Sequence, residues 1–341
     1  MTRPDSGAAV FTGLVDLASA AIGGRALSTN DEFFAECQNL VEPTEPVFLP
    51  DEYTEHGKWM DGWESRRKRG PGHDWCVLRL GASGVIRGVD IDTAHFLGNH
   101  PPFASLDATR ADGDALESAT WTEVLPQSPL RAGSQNLFAV LDPRAYTHVR
   151  LNIFPDGGVA RLRVYGDVEP AWRAVDDELA RRHVARGDVD LAALHNGGLA
   201  LACSDMFFGS MNHLIAPGRA ANMGEGWETR RRRGPGHDWI VVRLGGRGSV
   251  HVVELDTNHF KGNFPDRCRL EGIDAAGART TDLIAHDGWR TILDEMKMQA
   301  DERRFLRDEI VERGPFTHVR LSVYPDGGVS RMRVFGQRAE S

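Results

Sequence analysis

The chain is written twice. Gly62–Asn99 aligns without a gap on Gly226–Asn263, with 24 of 38 positions identical at an offset of 164. Tyr146–Gly166 aligns on Phe316–Gly336, with 14 of 21 identical at an offset of 170, and Ala26–Phe34 answers Ala200–Phe208 at an offset of 174. A duplication of this length requires a unit that buries a core within one copy. The fall in offset from 174 to 164 places a longer loop before the Gly-Trp-Glu motif of copy one, and the later rise places a longer segment after Asn263 in copy two.

Most of each copy reads as strand. Thr147, Val149, Leu151 and Ile153 alternate with His148, Arg150 and Asn152 ahead of Pro155-Asp156-Gly157-Gly158, and Val159–Tyr165 alternates again, which predicts a hairpin. Trp75–Leu80 and Val85–Ile91 predict two short strands around a Gly-Ala-Ser-Gly turn. Short strands, frequent turn residues and no βαβ alternation argue for an antiparallel sandwich or barrel in each copy. The expected fold class is therefore all-β, with a first β-sandwich repeat at residues 20–168, a helical connector at 169–195 and a second repeat at 196–338. The connector reading rests on Pro170 and the helix formers after it, and a second helical stretch is expected at Gly288–Val311.

Charge narrows the partners. With 40 Lys+Arg against 49 Asp+Glu, the net charge of -9 gives no basic field for a phosphate backbone or an anionic membrane, so neither nucleic acid nor membrane is expected. Leu14–Leu27 is interrupted by Asp16, Gly23, Gly24 and Arg25 and lacks the layout of a signal peptide. Cys37, Cys76, Cys203 and Cys268 show no metal-finger spacing, and the positions matching Cys76 and Cys203 in the other copy are Ile240 and Thr29. A cytoplasmic protein with reduced thiols is expected, and exposed sandwich edges suggest a homo-oligomer.

Three polar clusters recur. The first joins Glu64, Arg66, Arg67 and Arg69 to the Gly-Pro-Gly-His-Asp turn of His73 and Asp74; its partner holds Glu228, Arg230, Arg231, Arg233, His237 and Asp238. Gly-Pro-Gly interrupts regular structure, so these residues are loop-borne, and a guanidinium fork suits a carboxylate ligand. The second is Asp92, His95 and Asn99, matched by Asp256, His259 and Asn263. A His beside an acid and an amide at fixed spacing supplies an acid or base and donors for a polar substrate. The third, His148 and Arg150 with His318 and Arg320, is explained almost as well by a solvated sheet face. No HExxH or comparable ligand spacing is present, so no cofactor is expected, although His73, Asp74, Asp92 and His95 are of ligand type and leave a divalent ion open.

At GWESRRKRGPGHDW, VDIDTAHFLGN and HVRLNIFPDGGVARLRVYG, each with its second copy, the sequence resembles the allantoicase (allantoate amidinohydrolase) family over about residues 20 to 338. The resemblance implies two jelly-roll sandwiches of the galactose-binding type, and hydrolysis of allantoate to ureidoglycolate and urea in purine degradation. That reaction needs a proton on the departing urea nitrogen, a base for water and an anchor for the substrate carboxylate. Glu64, His73, Asp74 and His95, with Glu228, His237, Asp238 and His259, are the candidates for proton transfer. Arg66, Arg67, Arg230 and Arg231 are candidates for the anchor, and Asp92, Asn99, Asp256 and Asn263 for holding the urea groups. Two other readings are open: a non-catalytic tandem module for small acids or sugars, and a metal-dependent hydrolase of a related ureido acid.

Overall fold

A computed structural model describes residues 11–175 and 177–339. The chain divides into two compact units, one ending at Glu169 and the other beginning at Pro170. Each is antiparallel β, and the two repeat the same pairing scheme.

The organising element of the first unit is one strand, Asp74–Asp92. Its first part pairs with Arg25–Thr29 on one side and Ala145–Phe154 on the other. Ala145–Phe154 then pairs with Phe103–Thr109, and that strand with Thr122–Pro129. The second part of the long strand pairs with Arg161–Val168 and Leu137–Ala139, and Val15–Asp16 closes the outer side of Arg161–Val168. A single strand thus serves two sets of partners, with register shifts where they change over.

This corrects the expected turn between Trp75–Leu80 and Val85–Ile91. Gly81 and Gly84 mark close backbone approach instead: a Cβ on Gly81 would lie 2.6 Å from the Ile22 carbonyl oxygen, and one on Gly84 would lie 2.4 Å from that of Asp167. The expected hairpin at Pro155–Gly158 is also corrected. Ala145–Phe154 and Arg161–Val168 do not pair with each other; both pair with the long strand, and Gly158–Val159 between them pairs with Trp63–Glu64. Both strands are apolar on a buried face, so the alternation identifies strands without identifying their partners.

In the second unit Asp238–Asp256 repeats the long strand, with Leu199–Cys203, Phe316–Tyr324, Arg331–Arg338 and Arg303–Leu306 as partners. Gly288–Val311, expected as helix, holds the strands Arg290–Lys297 and Arg303–Leu306. Ile292 and Leu293 are fully buried there by sheet pairing, which outweighs helix propensity. The helical connector is reduced to one turn, Glu178–Arg181, capped by the Asp177 side chain on the Ala180 N–H at 2.7 Å. Four residues are too few to propagate a helix without packing, and only Ala180 among them is buried.

Each core runs through the buried face of its long strand. Cys76, Leu78, Ile86, Val89 and Ile91 are fully buried in the first unit, as are Ile240, Val242, Val250 and Val253 in the second. All four cysteines are free thiols.

Candidate active site

Trp63 and Trp227 fix the loops that carry the first cluster. Each indole is fully buried, and its N–H donates to the carbonyl of Asp31 (2.8 Å) or Asp205 (2.9 Å). That places the Asp31 carboxylate to accept from the Arg66 backbone N–H at 3.1 Å and from its Nε at 2.7 Å, with the guanidinium over the Phe33 ring. Arg230 does the same with Asp205 and Phe207. These bonds hold the carboxyls of Asp31 and Asp205 below the usual range despite partial burial, which acts in the opposite direction.

The second cluster is built on a strained turn. Phe96 is fully buried against Gly158, where a Cβ would come within 2.0 Å of the ring. His95 before it adopts φ 68°, and His259 adopts φ 71°. Thr93 anchors the turn by donating to the carbonyls of Arg131 (2.6 Å) and Ser134 (3.1 Å).

The two clusters meet at Glu64. Asn99 Nδ2 donates to Glu64 Oε1 at 2.7 Å, and both side chains line one recess with His95, Phe34, Phe48, Lys58, Met60 and Leu97. Desolvation raises the Glu64 carboxyl above its ordinary range, and the Asn99 bond, the smaller influence, acts in the other direction. His95 Nε2 lies 3.1 Å from the Pro46 carbonyl, which can only accept, so Nε2 carries the proton and Nδ1 is the acceptor in the neutral ring. Phe48 stacks on the imidazole, and Lys58 Nζ sits 4.6 Å from the Phe48 centroid while donating to the Pro50 carbonyl.

In the second unit Asn263 likewise donates to Glu228, and His259 Nε2 donates to the Ala220 carbonyl at 3.0 Å. There Asn263 also contacts Met223, and Glu228 is buried. The extra loop of copy one makes the difference: it contains Phe48, the short hairpin of Tyr53–Thr54 with Gly57–Lys58, and the Lys58 ammonium.

Several expected residues lie elsewhere. Asp74 is buried and paired with Lys68 at 2.6 Å and Asn30 at 2.9 Å, and Asp238 with Arg232 and Ser204, so both carboxylates are engaged in holding the loop. His73 packs on Phe154, and His237 lines a separate hollow with Arg320 and Glu271. Asp92 and Asp256 accept from the Ala94 and Asn258 N–H groups two residues on, both at 2.8 Å, and cap the turn behind His95 and His259. Arg66 lines a neighbouring hollow that shares Phe34 and Met60 with the recess. Arg67 and Arg231 are exposed and have no ion-pair partner among the described residues. In the third cluster His148 is 1% exposed, so it does not share a wet face with Arg150, which pairs with Asp107 at 2.8 Å.

Lys58, Phe48 and Asp31 are the residues that motif reading missed. The Asp31 signal was available, since Asp31 and Phe33-Phe34 repeat as Asp205 and Phe207-Phe208. Lys58 lies in the unduplicated loop, where self-comparison gives no signal. Among the described residues no group of three or more His, Cys, Asp or Glu is arranged to hold a metal ion. No helix among them is long and apolar enough to cross a membrane.

Comparison with known proteins gives one consistent result. The allantoicase repeat model matches residues 15–169 and again 189–339. A protein named probable allantoicase 1 from Burkholderia mallei is 46% identical over 324 residues, covering 94% of each chain. A probable allantoicase from Pseudomonas aeruginosa is 47% identical over 330 residues, covering 96% of this chain and 97% of the other. The crystal structure of the Saccharomyces cerevisiae allantoicase superposes with a TM-score of 0.79 at 34% identity, over 95% of this chain and 93% of that one.

Proposed function

The chain belongs to the allantoicase family, and from that membership we infer that it hydrolyses allantoate to ureidoglycolate and urea in purine degradation. We further propose that the first-repeat recess is where the reaction occurs. The observation that carries this reading is the Glu64–Asn99 bond inside a recess that His95 also lines.

Allantoate carries two urea groups and a carboxylate on one carbon. Expelling one urea as an anion is costly, so its nitrogen must receive a proton as the C–N bond breaks. Glu64, with its carboxyl raised by burial, retains a proton to higher pH than an exposed glutamate and is assigned as that acid. Electron pairs from the remaining urea nitrogen assist departure and leave an imine-like species, to which water adds. His95, with Nδ1 unprotonated, is assigned as the base that takes the water proton. Asn99 holds Glu64 and leaves its amide oxygen to accept from a urea N–H. Lys58 is assigned to the substrate carboxylate, since the Arg66 guanidinium is already committed to Asp31.

The more buried second-repeat counterpart, without a lysine from an extra loop, favours one working recess per chain. Urea release from allantoate by the purified protein, with and without chelator, tests the activity and metal dependence. Glu64→Gln tests the site. We also propose a cytoplasmic homo-oligomer, supported by the free thiols and by the edge strands Thr122–Pro129 and Arg290–Lys297; a monomeric mass by light scattering overturns the oligomer.

A further inference from the structure

A second departure from internal symmetry lies in the second repeat, away from the Glu–His–Asn cluster. A cavity of about 150 Å³ is lined there by Arg219, Arg303, Arg331 and Arg333 together with Asp190 and Glu254. Arg331 is 3% exposed and Arg333 9% exposed. Both hold the 216–218 segment: Arg331 Nε donates to the Gly218 carbonyl at 3.1 Å, and Arg333 Nη2 donates to the Ala216 and Gly218 carbonyls at 2.6 and 2.7 Å. The remaining Nη1 of Arg333 is buried with no hydrogen-bond partner. An unsatisfied N–H on a buried guanidinium is costly and points to an acceptor.

The first repeat makes the same scaffold without this charge. Arg161 and Arg163 donate to the carbonyls of Thr44, Glu42 and Pro43 as Arg331 and Arg333 do in their unit, and Arg163 uses both Nη atoms. Glu45, however, stands where the second repeat has Arg219. Gln135 stands where it has Arg303: it follows Ser134, whose carbonyl accepts from the Thr93 N–H, as Arg303 follows Glu302, whose carbonyl accepts from the Thr257 N–H. Around the shared scaffold, repeat two sets five arginines, Arg173 among them, against Asp177, Asp190 and Glu254. Repeat one sets two arginines against Asp16, Glu45, Asp90 and Asp92.

We propose that this second-repeat cavity binds a compact carboxylate, with Arg333 Nη1 and Arg219, whose Nη2 lies 3.5 Å from Asp256 Oδ2, as its donors. Five arginines line the cavity against three carboxylates, an excess of positive charge that suits an anion. A planar fork donates two parallel bonds to such a group. Burial and the neighbouring Arg333 push the Arg331 guanidinium down to about 10, the electrostatic signature of two crowded cations that an anion would relieve. The site is independent of which recess performs the hydrolysis.

Titration calorimetry of the full-length protein with sodium glycolate, at fixed ionic strength, tests it. The expected result is one saturable site per chain, weakened at least tenfold by Arg219→Glu and by Arg303→Gln, the residues that repeat one carries. Arg219 is half exposed, so its variant folds even if Arg303→Gln does not. Lys58→Met, which removes the carboxylate anchor of the first-repeat recess, should leave the binding intact. Absence of saturation, unchanged affinity in Arg219→Glu, or loss of binding in Lys58→Met would each overturn the assignment.

Discussion

Asn99 and Glu64 meet side chain to side chain, the amide donating to the carboxylate at 2.7 Å, and Asn263 and Glu228 repeat the contact in the second unit. Because the bond favours the charged carboxylate, it opposes the burial that raises the Glu64 carboxyl. If Glu64 donates the proton to the departing urea, activity falls as pH rises through its raised value. Asn99→Leu removes the opposing bond, so the alkaline limb of the kcat profile should move to higher pH. Glu64→Gln should lower kcat by about 100-fold or more. A merely structural Asn99 would leave the position of that limb unchanged.

His95 and His259 both sit at positive φ, a conformation that asparagine tolerates better than most residues. Replacement by Asn therefore removes the titrating ring with little backbone strain. His95→Asn should lower kcat by about 100-fold, and His259→Asn should retain most turnover, because the working recess is assigned to the first repeat. Equal losses in both variants, measured by urea release, would place chemistry in both repeats.

The duplication and the alternation made the sheet-rich repeats legible, because a buried strand face imposes a period of two wherever it occurs. Partner choice was not legible. Thr147–Ile153 and Val159–Tyr165 look like two arms of a hairpin, yet both go to the long strand, and the glycines that permit its passage resemble turn glycines in sequence. In the site, Glu64, His95 and Asn99 were named from repeated polar clusters and share a recess, whereas Asp74 and Asp92 belong to the same clusters and act as local anchors. Residue type and spacing do not distinguish a carboxylate aimed into a recess from one turned to its own loop. Lys58 was invisible for the opposite reason, since the loop that carries it has no second copy.

Lys58 and Arg66 separate two ways of anchoring a carboxylate. Lys58 lines the recess itself, and Arg66 is paired with Asp31 beside it. Lys58→Met should raise KM for allantoate about tenfold, near 1.4 kcal/mol, with kcat nearly unchanged. Arg66→Lys should leave KM within about twofold. Steady-state urea release over a range of allantoate concentrations distinguishes them, and the reverse pattern would return the anchor to the arginine loop.

Asp90 gives the clearest expectation for stability. It is 2% exposed, and desolvation together with the neighbouring Asp92 raises its carboxyl to about 7, although it accepts from the Asn136 N–H at 3.0 Å. Between the unfolded value near 3.8 and the folded value near 7 the native state binds the extra proton. Stability from this group is therefore present at low pH and lost as pH rises through that window. His318, lowered to about 4 chiefly by burial, contributes with the opposite sign, since there the unfolded chain binds the proton. Comparing wild type with Asp90→Asn cancels the histidine contribution, because His318 is common to both proteins. The asparagine keeps an oxygen acceptor for Asn136 and carries no charge at any pH. At pH 8 the variant should melt about 3 °C or more above wild type, and the gap should shrink toward pH 5 as Asp90 takes up its proton. A gap that stays constant from pH 5 to 8 in calorimetric scans would show that Asp90 does not titrate in this range.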